Sequence, residues 1–165
     1  MTIGKMLVTA LTVLSLSTPA LAAREIVING STTVLPVMQK AGEAFMASHP
    51  GVQLSISGGG SGNGIKALID KQCDVAMSSR DIKGKEKAAA DKNGVTPVRT
   101  AIAVDAIVPV VHPSNTVSGL TTQQLRDIYT GKITNWKELG GADAKIVIIS
   151  RDTSSGTFEC WKNWS

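Results

Sequence analysis

The chain has 165 residues, 42% of them hydrophobic and 4% aromatic, and a formal net charge of +4. So mild a positive balance, with so few aromatic rings, gives no case for a nucleic-acid surface. Two distant cysteines are not a disulfide framework, and two histidines that each stand beside a proline, His49 and His112, offer no metal-ligand spacing.

Lys5 gives a short positive start, Met6 to Leu16 is an apolar run broken only by small hydroxyl residues, and Pro19 precedes the small-x-small triplet Ala20-Leu21-Ala22. This pattern predicts an export signal over 1–22, cleaved after Ala22 and shorter than the ~20 residues of a membrane span. No cysteine stands at the cleavage point, so the expectation is a soluble, unlipidated protein outside the cytoplasmic membrane, in a periplasm. Losing Lys5 alone from 17 basic residues leaves 16 against 13 acidic ones, a surplus that suits a small anion. Cys73 and Cys160 could pair in such a compartment; the favoured reading is two unpaired thiols.

Glu25 to Asn29 reads as a short buried strand. Thr33 to Ser48 carries Val34, Val37, Met38, Ala41, Phe45 and Met46 at helical spacing and stops at His49-Pro50-Gly51. Val52 to Ser57 alternates as a second strand, Gly58 to Gly64 is a glycine-rich loop, and Ile65 to Asp70 continues as a helix. Asp74 to Met77 is a third strand, and Ile82 to Asp91 a charged helix ended at Asn93-Gly94. Val95 to Thr100 and Ala103 to Val111 read as extended, His112 to Asn115 as a turn, Thr121 to Tyr129 as an amphipathic helix. Lys145 to Ile149 reads as another buried strand, followed by Ser154-Ser155-Gly156-Thr157 and the start of a helix. This alternation predicts an α/β fold with mostly parallel sheet. It divides the chain into a first lobe over 23–104, a crossover over 105–113 and a partial second lobe over 114–165.

Three of the strands lead into small, hydroxyl-rich loops and then helices: Asn29 to Thr33, Ser57 to Gly64, and Arg151 to Thr157. A helix start has unpaired N–H groups and partial positive charge, glycine admits a ligand close to the backbone, and a hydroxyl adds a donor. Any one of these serines could simply cap its helix; three such loops together point to an anion site. No lysine follows the glycines as in a Walker loop, and the spacing is not a dinucleotide fingerprint. Arg80 and Arg151 each follow a strand. Asp105 lies in an apolar run, where a buried carboxylate needs a partner, with Arg80 or Arg151 as candidates or a ligand in their place.

The series Gly30-Ser31-Thr32-Thr33, Gly58-Gly59-Gly60-Ser61-Gly62, Ser78-Ser79-Arg80, Val104-Asp105-Ala106-Ile107, Ile128 to Trp136 and Arg151 with Ser155-Gly156-Thr157 resembles PstS-type phosphate-binding proteins, of the type 2 periplasmic binding protein superfamily. The motifs occur in family order. The resemblance implies two lobes, mostly parallel sheets, closing over inorganic phosphate and delivering it to an ABC permease, as a monomer without enzymatic activity or cofactor. Carried over by position, it implies hydroxyl and backbone donors at Ser31, Thr32, Ser61, Ser155, Gly156 and Thr157, and a charge-pairing guanidinium at Arg151. Arg80 stands where some members carry an aspartate and others a Ser-Arg pair, and Asp105 becomes the acceptor carboxylate. It also implies a chain that ends early, inside the helix after Ser-Gly-Thr, leaving the second lobe incomplete. The alternatives are a binder of another oxyanion such as sulfate or molybdate, a remnant that binds nothing, or a secreted hydrolase built on Ser31, Ser61 or Ser155. The hydrolase lacks a positioned base, since both histidines lie in His-Pro turns.

Overall fold

Strand β1 (Arg24–Gly30) runs through the middle of a three-stranded parallel sheet, between β2 (Val52–Gly58) and β3 (Val75–Met77). The computed structural model describes residues 24–164, so the export signal expected over 1–22 lies outside the described residues. Ile28 is the hinge of the register: it lies beside Ile56 of β2 and Val75 of β3. Parallel neighbours need crossover connections. Helix α1 (Leu35–Ser48) makes the first, and α2 (Ser61–Ile69) the second. Helix α3 (Gly84–Lys92) follows β3. Further on come α4 (Thr122–Tyr129), a 3-10 turn at Trp136–Leu139, and α5 (Gly156–Trp164).

Local chemistry explains these elements. Along β2, Val52, Leu54 and Ile56 are the less exposed residues and Gln53, Ser55 and Ser57 face out, the period-two pattern of a strand covered on one face. Helix α1 can lie close over that face because Gly42 has no side chain: a Cβ there would sit 2.6 Å from Ile56 Cδ1. Helix α2 buries Ser61, Gly64, Ile65 and Ile69, a stripe at i, i+3, i+4 and i+8. Ile65 and Ile69 join Ala90 of α3 in one apolar cluster, with Ile82 and Val95 packed against it. Burying each isoleucine contributes about 1.5–3 kcal/mol. Helix α4 starts with a reciprocal cap: Gln124 N–H donates to Thr121 Oγ1 at 3.1 Å and Thr121 N–H donates to Gln124 Oε1 at 2.8 Å.

The fold is α/β with a parallel sheet, as the sequence predicts. Two elements differ. Helix α2 begins at Ser61 rather than Ile65, so the glycine-rich loop shrinks to Gly59 and Gly60, and Gly62 and Gly64 become helical. At Gly64 packing overrides the poor propensity, because only glycine fits against the end of β1 there. The second correction is at Lys145–Ile149, which is not a buried strand: only Lys145 makes a bridge, antiparallel to Asn135. Ile146 is buried, but Val147 is 76% and Ile149 87% exposed. A strand is held by its neighbours, and among the described residues no ladder forms beside this segment. Residues 95–111 likewise join no ladder, and Val98, Val104 and Val110 face solvent.

Gly64 is the tightest joint between α2 and β1: a Cβ there would lie 2.5 Å from Asn29 O and from Gly30 Cα. Both are backbone atoms that no rotamer change can move. Gly64→Ala should therefore destabilise the protein by about 1–3 kcal/mol, read as a lower urea midpoint, whereas the same substitution at Gly84, where a Cβ meets nothing within 4 Å, should leave it unchanged or raise it slightly.

Candidate functional site

Among the described residues three polar residues are buried as a whole, Ser31, Ser61 and Ser155, at 2%, 0% and 3% exposure. Each stands at the start of a helix. Ser31 Oγ accepts the N–H groups of Thr33 and Val34 at 3.2 and 3.4 Å, and Ser31 O accepts Leu35 N–H at 3.0 Å, so helical winding begins at Ser31, ahead of α1 proper. Ser155 Oγ accepts Phe158 N–H at 3.3 Å at the head of α5. Ser61, in the first turn of α2, accepts Ser79 N–H at 3.1 Å. Capping and ligand binding are compatible, because a hydroxyl that accepts an N–H through a lone pair keeps its own O–H to donate.

The three helix starts meet. Thr33 Oγ1 and Thr157 Oγ1 are 3.4 Å apart, and Arg151 Nη2 donates to Thr32 Oγ1 at 3.0 Å. Gly62 N–H donates to Ser154 O at 3.0 Å, and Ser154 Oγ donates to Gly59 O at 3.2 Å. Gly156 faces the hydroxyls of Ser61 and Ser79 so closely that a Cβ would strike both, lying 2.6 Å from the second. Gly60, at φ 97°, presses against Ser154 in the same way and takes a backbone conformation that favours glycine. Of the nine residues expected at the site, Ser31, Thr32, Ser61, Arg151, Ser155, Gly156 and Thr157 are brought together by these contacts.

Arg80 and Asp105 stand differently. Arg80 is spent on structure: Nη1 and Nη2 bind the two oxygens of Glu86 at 2.9 and 2.8 Å, and Nη1 also reaches Asp81 O. Its side chain is 7% exposed. Asp105 is exposed rather than buried, so the desolvation that was expected to force a partner on it does not operate. Its Oδ1 accepts Ala106 N–H at 2.8 Å, and among the described residues it makes no salt bridge with Arg80 or Arg151. It does line a cavity of about 390 Å³ together with Ser79, Ile107, Thr157, Cys160 and Trp161. Ser79 received no role from the sequence, yet its hydroxyl is 3.2 Å from that of Ser61; its place directly after β3 was the available signal.

A family model described as a PBP superfamily domain matches residues 17–165. The chain belongs to the PBP superfamily. It is 35% identical over 136 residues to the phosphate-binding protein PstS of Bacillus subtilis, covering 82% of this chain and 44% of that protein. A Clostridium perfringens structure with bound phosphate, described as that of a phosphate ABC transporter substrate-binding protein, matches at 46% identity and a TM-score of 0.76, covering 85% of this chain and 55% of the other. An ABC-type phosphate transport receptor from Vibrio cholerae matches at 36% identity and a TM-score of 0.65, over 82% of this chain and 53% of the other. The chain thus spans about half the length of the relatives it matches.

In this PBP-superfamily chain both partners of the Arg80–Glu86 pair are shifted from their usual values. The hydrogen bonds from Arg80 hold the Glu86 carboxyl below the usual carboxylate range despite its burial, and Glu86 in turn raises Arg80. Cys73 and Cys160 are both free thiols, as expected, and burial pushes Cys73 up, with Asp74 beside it adding to the shift. Among the described residues no cluster of three metal-ligating side chains occurs and no helix is long and apolar enough to cross a membrane.

Because the folded state depresses Glu86, its contribution is complete above the unfolded carboxylate pKa of ~4.3 and is lost as pH falls through the folded value. Glu86→Gln should cost about 2 kcal/mol at pH 7, measured by urea unfolding. The gap between parent and variant should close as the pH is lowered below 4; a gap that does not change with pH would assign the loss to packing alone.

Proposed function

We propose that this chain is the phosphate-binding component of an ABC-type uptake system, exported from the cytoplasm, working without enzymatic activity and presenting its bound ligand to a membrane permease. The observation that carries this reading is the meeting of three buried serines, each at a helix start, in a chain whose solved relative at 46% identity has bound phosphate. The relatives' printed descriptions supply the transport role, and the sequence pattern over 1–22 the export.

The chemistry suits a tetrahedral oxyanion. Helix-start N–H groups carry partial positive charge and have no intrahelical partner. The hydroxyls of Ser31, Ser61, Ser155, Thr32 and Thr157 add donors. Arg151, exposed and donating through Nη2 to Thr32, supplies a full charge and a planar fork that suits paired phosphate oxygens. Arg80 retains one buried group without a hydrogen-bond partner, Nε, and contributes otherwise through Glu86. Asp105, on the cavity wall with Ser79 and Thr157, is the group to accept a hydrogen bond from a protonated phosphate oxygen. Sulfate has no such proton and would face an unpaired carboxylate. In this reading residues 23–104 and 114–165 are the two sides of the clamp, joined through 105–113, and the protein works as a monomer.

Isothermal titration with inorganic phosphate tests the proposal. Arg151→Ala should weaken binding by about 2–3 kcal/mol, and Lys137→Ala should not, since Lys137 pairs with Asp143 beside the 3-10 turn. Equal effects would remove Arg151 from the site. In the same assay Asp105→Asn should narrow the preference for phosphate over sulfate; unchanged selectivity would place discrimination elsewhere.

A further inference from the structure

Helix α5 is tied to the rest of the chain at two levels. Its first turn meets Thr33, Ser61 and Ser79 as described. Two residues beyond Thr157, at the end of that turn, Glu159 forms a salt bridge with Lys83 Nζ, both side chains being partly buried. Glu159 N–H donates to Ser155 O at 3.2 Å, so the residue that takes the lysine lies one helical turn from the serine that heads α5. Lys83 is itself fixed at the start of α3, where its N–H donates to Glu86 Oε2 at 2.8 Å, and Glu86 is gripped by both Arg80 Nη groups. Next to Glu159, Cys160 Sγ contacts Ser79 O at 3.8 Å. An unbroken series of charge-assisted contacts therefore runs from β3's end through Arg80, Glu86 and Lys83 into α5.

We propose that Lys83 and Glu159 form a latch that holds the Ser155-Gly156-Thr157 donors against those of α1 and α2, and so sets how long the anion stays bound. This rests on the phosphate-binding reading of the site. Neither residue belongs to the converging donor set; both are positioning residues. The physical argument is preorganisation. A clamp assembled from stretches of chain far apart in sequence loses affinity to the entropy of bringing its halves together, and a partly buried ion pair whose lysine backbone is already fixed offsets part of that loss. The latch closes where apolar packing is thin: among the described residues the apolar core cluster, Ile65, Ile69 and Ala90, lies between α2 and α3 and includes no residue of α5.

The test compares Lys83→Met, Glu159→Gln and the charge-conserving Lys83→Arg in the full chain. Stopped-flow phosphate release should accelerate roughly three- to tenfold in the first two and stay near the parent rate in the third, with association rates little changed. A second readout needs no ligand: amide hydrogens of residues 155–160 should exchange faster in Lys83→Met and Glu159→Gln, while those of 61–69 keep their protection. If the parent binds no phosphate, the functional reading fails, and the exchange data still judge the latch. Parent-like exchange at 155–160 in both disrupting variants, or loss of protection in Lys83→Arg equal to that in Lys83→Met, would overturn it.

Discussion

Everything at the site depends on the satisfaction of three buried hydroxyls. A buried Ser costs free energy unless its oxygen and its proton find partners. Ser31 and Ser155 meet half of that need by accepting first-turn N–H groups, and Ser61 by accepting the N–H of Ser79. Meeting it fixes the winding that leads into α1 and α5 and ties the head of α2 to the segment after β3, and so brings three helix starts to one region. The glycines follow from the same constraint. Gly60, Gly64 and Gly156 lie where a Cβ would strike Ser154, the end of β1, or the hydroxyls of Ser61 and Ser79. Substituting any of them would push apart the groups that make the site.

The charges divide the labour. One arginine, Arg151, stays exposed at the loops and touches the first through Thr32. The other, Arg80, is buried and neutralised by Glu86, and its value lies in fixing Glu86, which then fixes the start of α3. A guanidinium bound at both ends by a carboxylate is a poor ligand for a second anion, because it would have to release the first. Sequence position alone makes the two arginines look equivalent, since each follows a segment that reads as a strand; their partners make them different.

The segments without a ladder obey sheet physics equally plainly. β1 and β2 pair over seven residues and are ordered by that pairing, while β3 pairs over three. Residues 95–111 and 147–149 have strand-like composition but, among the described residues, no neighbour to pair with, and apart from Val95 their valines and isoleucines are exposed. Apolar content alone therefore does not make a strand. It supplies the tendency, and a partner backbone supplies the hydrogen bonds that realise it. Asp105 lies within such an unpaired stretch, which is why its carboxylate is solvated rather than forced into an ion pair.

The sequence by itself determined the parts governed by short-range rules. Strand periodicity at Val52–Ser57, helical spacing at Val34–Met46, the turn at His49–Gly51 and the hydroxyl-glycine loops were all legible, because each depends on contacts a few residues apart. The loops' order along the chain also made the PstS-type resemblance legible. Tertiary structure decided what depends on distant partners. Gly64 became helical where α2 packs on β1, and Gly62 with it. Lys145–Ile149 lost its strand character for want of a neighbour. Arg80 was taken by Glu86, six residues on but brought into reach only by the turn into α3, and Ser79 was drawn beside Ser61. Those outcomes turn on which backbone and which charge lie within a few ångströms, a matter of folding rather than of local spacing.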